Sequence, residues 1–146
     1  MKTPRVKVKI LDTKTKNYTG KLPTRATNGS IGWDLYIPTS RTISERGAHI
    51  IPLGIALEMP TGYYATVESR SSLFSSGITA LRGIIDNDYR GELCVVLNYH
   101  NSIPIKFCAG DRIAQLVFHR EDPVTIEHAN ELSPTSRHGG FGSTGA

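Results

Sequence analysis

Short β-type runs separated by turn residues constrain this chain more than any other feature, and helical periodicity is nearly absent. Val6-Lys7-Val8-Lys9-Ile10 alternates with period two, the repeat of a strand with one buried face. Further runs follow at Trp33–Ile37, Ile50–Met59, Tyr63–Glu68, Ile84–Ile85, Glu92–Tyr99, Ile103–Phe107, Ile113–His119 and Val124–Glu127. Pro23, Asn28-Gly29, Pro38, Pro60-Thr61-Gly62, Gly83, Tyr89-Arg90-Gly91, Asn101 and Ala109-Gly110-Asp111 break them. Strands at this spacing predict an all-β sandwich, barrel or jelly roll. One segment departs from the pattern. Ser69 to Gly77 has a serine at a helix start, apolar residues inside and glycine at the end, which predicts one short helix.

The chain has 146 residues, enough for one core and not two. No apolar run approaches the roughly 18–20 residues of a membrane helix, and the N-terminus has no apolar leader core. Two cysteines are too few for a disulfide framework, so an intracellular setting is expected. Cys94, inside the apolar run Glu92–Tyr99, reads as a buried small hydrophobe. The net charge of +4 is unevenly placed: residues 1–25 carry +7 and residues 26–146 carry −3. The basic stretch reads as a solvated edge strand whose lysines discourage edge pairing. Nucleic-acid binding through it is the disfavoured alternative.

Five segments carry chemistry-bearing residues. Gly32-Trp33-Asp34-Leu35 places one acid in a β-type run. Arg70-Ser71-Ser72 puts a guanidinium and two hydroxyls at the expected helix start, a phosphate-suited set. Gly83-Ile84-Ile85-Asp86 brings a carboxylate up against an apolar run, where burial can orient a base and raise its pKa. Gln115 is a polar residue within the apolar run Ile113–His119. The C-terminal stretch 137–146 is glycine-rich and expected to be mobile unless a ligand orders it. There Arg137 offers a bidentate fork, Phe141 a stacking ring, Gly142 close backbone approach, and Ser143 and Thr144 hydroxyl donors.

Taken together and in order, these segments resemble the five motifs of the homotrimeric dUTPase family. The matches are Gly32–Tyr36, Arg70–Leu73, Gly83–Gly91, Ala109–Leu116 and Arg137–Gly145. The resemblance implies an all-β, jelly-roll-like subunit with a catalytic domain over residues 1–136 and an arm, 137–146, closing a neighbour's site. It implies Mg²⁺-dependent hydrolysis of dUTP to dUMP and diphosphate by a homotrimer with shared sites, keeping uracil out of DNA and supplying dUMP for dTTP synthesis. Asp86 matches the water-activating aspartate, and Tyr89 the tyrosine under deoxyribose. Arg70, Ser71, Gln115 and Arg137 match phosphate-binding positions, with Ser72 beside them. Gly83, Ile84, Ile85 and Cys94 match positions along the nucleoside, and Phe141 the ring that stacks on uracil. Asp34 matches an acid acting on metal through water only. The chain departs from the family at Trp33, at Ser69 where proline is usual, and at the bulky Leu81-Arg82 in the uracil-reading hairpin. A dCTP deaminase-type or bifunctional enzyme, and a dUTPase-like binding or regulatory protein, are the alternative readings.

Overall fold

The computed structural model describes residues 2–142. Eleven strands lie among them: β1 (Lys7–Ile10), β2 (Trp33–Tyr36), β3 (Arg41–Ile43), β4 (Gly47–Pro52), β5 (Ile55–Glu58), β6 (Tyr63–Glu68), β7 (Ile78–Ala80), β8 (Gly83–Ile85), β9 (Cys94–Tyr99), β10 (Ile105–Phe107) and β11 (Arg112–Arg120). They form sheets ordered β2-β11-β6-β8, β4-β9-β7, β1-β5 and β10-β3. Each of these pairings is antiparallel. The architecture is all-β and jelly-roll-like, as the alternating runs predict.

Alternation builds the core directly. In β9, Val95, Leu97 and Tyr99 are buried while Cys94, Val96 and Asn98 face outward. The inward residues of both larger sheets meet in one apolar cluster that includes Leu35, Val67, Ile85, Ile51, Leu97 and Leu116. Full burial of each such side chain contributes about 1.5–3 kcal/mol against leaving it in water. Cys94 is exposed and not buried as expected, because its neighbours Leu93 and Val95 take the core-facing positions.

The predicted helix is a 3-10 turn, Ser71–Ser76, closed by Gly77 in the left-handed region at φ 73°. Arg70, not Ser69, holds its N-cap position. Ser69 instead clasps β7: its Oγ donates to the Ala80 carbonyl at 3.0 Å and accepts from the Ala80 amide at 2.8 Å. A second short turn, α1 (Thr13–Lys16), begins where the Asp12 carboxylate accepts from the Lys14 amide. The run Ile50–Met59 divides into β4 and β5 at Gly54, whose φ is 70°. No strand forms at Val124–Glu127. Residues 121–142 are exposed and carry no regular element, with Val124, Ile126 and Leu132 each at least 85% exposed.

The basic N-terminal stretch is largely engaged within the chain. Lys7 pairs with Glu58 at 3.2 Å and Lys16 with Glu92 at 2.9 Å. Lys21 and Arg25 lie over the rings of Tyr36 and Trp33. Among the described residues, no helix is long and apolar enough to cross a membrane.

Candidate functional site

The five segments fall into two clusters at opposite corners of the four-stranded sheet, with the C-terminal stretch outside both. The first cluster lies on the outer face of β2 and β11. Asp34 and Gln115 are direct cross-strand partners, and Glu68 of β6 continues the row. One Asp34 oxygen faces Arg70 Nε at 3.4 Å and the other faces Arg112 Nη1 at 3.5 Å. Arg70 also donates through Nη1 to the Arg112 carbonyl at 3.0 Å. Gln115 Nε2 donates to the Ser69 carbonyl at 2.9 Å, tying β11 to the segment that carries Arg70. Gly32 is required here, since a Cβ at that position would stand 1.9 Å from Gln115 Oε1. Ser71 and Ser72 are exposed at the start of the 3-10 turn beside this cluster. The sequence motifs at 32–36, 70–73 and 109–116 therefore converge as a donor-rich patch suited to anionic oxygens.

Arg112 belongs to this cluster although its spacing hides it. Three residues separate it from Gln115, so simple alternation places the two on opposite faces. The β11–β2 register shifts between Arg112 and Ala114. At this bulge Ile113 and Ala114 are both fully buried, and Arg112 emerges opposite Tyr36, on the face of Asp34.

The second cluster arises where the chain changes sheets. The Leu81 amide donates to the Val96 carbonyl at 2.8 Å, the last rung joining the β7 side to β9. Beyond it β8 departs to pair with β6, while β9 runs on to Cys94 opposite Pro52 of β4. The strands part and leave a pocket of about 300 Å³. Gly83, Ile84, Ile85, Asp86, Tyr89 and Cys94 all line it, with Leu81 and Arg82 at its rim. Ile85 is turned to the core at 7% exposure and Ile84 is exposed on the outer face. Arg82 is held by Glu68, Nε to Oε1 at 2.9 Å.

Local hydrogen bonds fix the loop after β8. Asn87 Nδ2 donates to the carbonyls of Pro60 and Tyr63 at 2.9 and 2.8 Å. The Tyr89 hydroxyl donates to the Glu92 carbonyl at 2.8 Å. Its ring crosses Gly91 so closely that a Cβ there would meet the hydroxyl oxygen at 2.6 Å. Asp86 itself is exposed in the single chain, whereas its place after an apolar run predicts partial burial. The reason is that β8 is an edge strand, paired only with β6.

Behind the pocket, Glu92 accepts from the Tyr18 hydroxyl at 2.5 Å and from the Gly54 amide at 2.9 Å, and pairs with Lys16. Burial works against the Glu92 carboxylate, but these donors outweigh it and hold its pKa below the ordinary value. Burial, reinforced by the bond to Glu92, pushes the Tyr18 pKa up to about 12. Burial and the Glu92 charge push the Cys94 thiol up, which keeps it a neutral wall of the pocket.

The register separates the clusters. Asp34 aligns with Glu68, whereas Asp86 follows Ile85, the partner of Ala65. Three strand spacings of about 4.8 Å and four residue rises of about 3.4 Å put Asp34 and Asp86 roughly 20 Å apart. Arg137, Phe141 and Gly142 lie in the exposed C-terminal stretch and join neither cluster. Ser143 and Thr144 lie outside the described residues. A larger groove of about 640 Å³ elsewhere holds none of these groups; Val6, Val8, Trp33, Leu57 and Phe118 are among its apolar walls.

Comparison with known proteins gives a consistent picture. The family model described as dUTPase matches residues 19–145. The deoxyuridine 5'-triphosphate nucleotidohydrolase of Anaplasma marginale (strain St. Maries) is 42% identical, with 96% of this chain and 99% of the relative covered. That of Syntrophotalea carbinolica is 40% identical, covering 99% of each. A Staphylococcus bacteriophage 80alpha dUTPase with dUpNHpp superposes with a TM-score of 0.84 at 22% identity, over 99% of this chain and 100% of that one. The dUTPase from phage phi11 of S. aureus, in which a structural Mg(II) ion is coordinated, gives a TM-score of 0.75 at 18% identity over 87% and 97%.

Proposed function

The chain belongs to the dUTPase family, and from that premise we propose that it hydrolyses dUTP to dUMP and diphosphate, keeping uracil out of DNA and supplying dUMP for dTTP synthesis. One observation carries the reading: three segments remote in sequence converge on a guanidinium-and-amide patch, while a fourth builds a separate pocket ending at a carboxylate. The patch offers what a triphosphate needs, and the pocket what a nucleoside and an attacking water need.

In this reading Asp86 takes a proton from a water that attacks the α-phosphorus in line. The water oxygen forms the new P–O bond, and the bond to the bridging oxygen breaks to release diphosphate. Tyr89, pinned on the Glu92 carbonyl, packs under deoxyribose and leaves no room for a 2′-hydroxyl. Gly83, Ile84, Ile85 and Cys94 flank the nucleoside, and backbone groups freed where β8 and β9 part are available to uracil. Arg70, Ser71, Ser72 and Gln115 hold phosphate oxygens. The arm, 137–146, completes the site with Arg137 on phosphate, Phe141 on uracil, and Gly142, Ser143 and Thr144 alongside.

The donor set suits a magnesium ion that arrives on the substrate. Among the described residues no three His, Cys, Asp or Glu side chains cluster, and Mg²⁺ favours phosphate oxygens and water over a full protein cage. Asp34, already facing two guanidinium groups, fits a role through water and not as a direct ligand. When bound, the ion supplies charge neutralisation on the triphosphate.

The working form in this proposal is a homotrimer. Two features of the single chain support it. The donor patch and the Asp86 pocket are set far apart. Residues 121–142 hold out Val124, Ile126 and Leu132, while the 640 Å³ groove offers apolar walls to such a segment from another copy.

The test is diphosphate release from dUTP, dTTP, dCTP and UTP, each with and without Mg²⁺, with ammonia measured in parallel. Release from dUTP alone, dependent on Mg²⁺, is expected. Ammonia from dCTP would replace this reading with a deaminase, and turnover of none with a non-catalytic role.

A further inference from the structure

We propose that Arg112 is a polyphosphate-binding residue of this site, delivered to it by the bulge at the start of β11. The proposal rests on the dUTP-hydrolysing reading above and adds a residue to it. Without the bulge, residue 112 would fall on the core face, where Ile113 and Ala114 now lie. A bulge at the edge of a site is a means of re-aiming a side chain. Here it aims a guanidinium onto the face that carries Asp34, Arg70 and Gln115.

The contacts leave that guanidinium available. Its approach to Asp34 is 3.5 Å, an ionic contact longer than an ordinary hydrogen bond. Among the described residues its side chain makes no hydrogen bond, and it is 50% exposed. Arg70, by contrast, is 23% exposed and spends donors on both Asp34 and the Arg112 carbonyl. Two guanidinium groups share one carboxylate, so the cluster keeps one positive charge uncompensated. An arginine fork with unspent donors beside surplus positive charge matches the oxygens of a polyphosphate. Asp34 serves as the post that keeps both forks turned outward.

The test compares binding of dUpNHpp, in the presence of Mg²⁺, with binding of dUMP by calorimetry. Arg112→Ala should weaken dUpNHpp about 10- to 100-fold, the loss of a charge-assisted hydrogen bond, and leave dUMP unchanged. Arg112→Lys, which keeps the charge and loses the fork, should fall between. The same loss should appear when Arg112→Ala is introduced beside Asp34→Asn, because the contact is direct. Equal loss for both ligands, no loss for either, or a loss that vanishes beside Asp34→Asn would overturn the proposal. Failure of the unaltered protein to release diphosphate from dUTP would overturn the underlying reading instead, and is scored separately from any Arg112 variant.

Discussion

Single residues decide whether the donor patch exists, and they differ in how visible they are in the sequence. Gln115 is visible, because a polar side chain interrupts an apolar run. Arg112 is hidden, because its three-residue offset from Gln115 reads as the opposite face until the bulge is known. Cys94 is misleading, since an apolar run conceals which positions face outward until the β4 and β7 pairings fix the phase. Gly32 gives the sharpest prediction at this scale. Gly32→Ala forces Gln115 away from the Ser69 carbonyl. The overpacking should cost about 1–3 kcal/mol, and loss of a charge-assisted contact should lower kcat/KM for dUTP about 10- to 100-fold. Adding Gln115→Ala should recover stability but not activity, a coupling read by thermal unfolding of the single and double variants. Destabilisation that persists in the double variant would mean that the side chain of Gln115 is not what the new methyl meets.

At the scale of elements, the strand runs were legible because alternation is local. The pocket was not, because it needs β8 and β9 to belong to different sheets. The strand expected at Val124–Glu127 has apolar residues but no partner strand within the chain, and pairing defines a strand. The junction of α1, β5 and β9 behind the pocket has a pH signature. The Glu92 carboxylate titrates below its ordinary 4.5 when folded, so its contribution is complete above pH 4.5. It is lost as the pH falls through the lower folded value. The stability gap between the natural protein and Glu92→Gln should therefore close on acidification below pH 4.5, followed by thermal unfolding across a pH series. Tyr18 has the opposite sign. Its pKa rises from 10.0 to about 12, so stability is lost as the pH climbs through that window. Tyr18→Phe should be insensitive there. A gap that stays constant on the acid side would show that the Tyr18, Lys16 and Gly54 donors do not favour the charged carboxylate.

For the whole molecule, an all-β fold and the site residues were readable because the motifs are contiguous in sequence. Their division into two clusters was not, because it follows from sheet order. Asp86 and the Asp34–Arg70–Gln115 face lie on different corners of one subunit, and the apolar arm reaches away from the body that carries both. A site assembled between copies resolves this: one copy supplies Asp86, another Arg70, and the arm closes over them. The direct measurement is dUTP turnover by co-expressed Asp86→Asn and Arg70→Ala chains. Each variant alone should be inactive, with Asp86→Asn still binding dUTP and its turnover down about 10²–10⁴-fold, the contribution of a general base. Random mixing should restore about a quarter of the sites, those pairing the intact Asp86 of one chain with the intact Arg70 of the other. Turnover no greater than the sum of the two variants would contradict the shared site and place both groups within one chain.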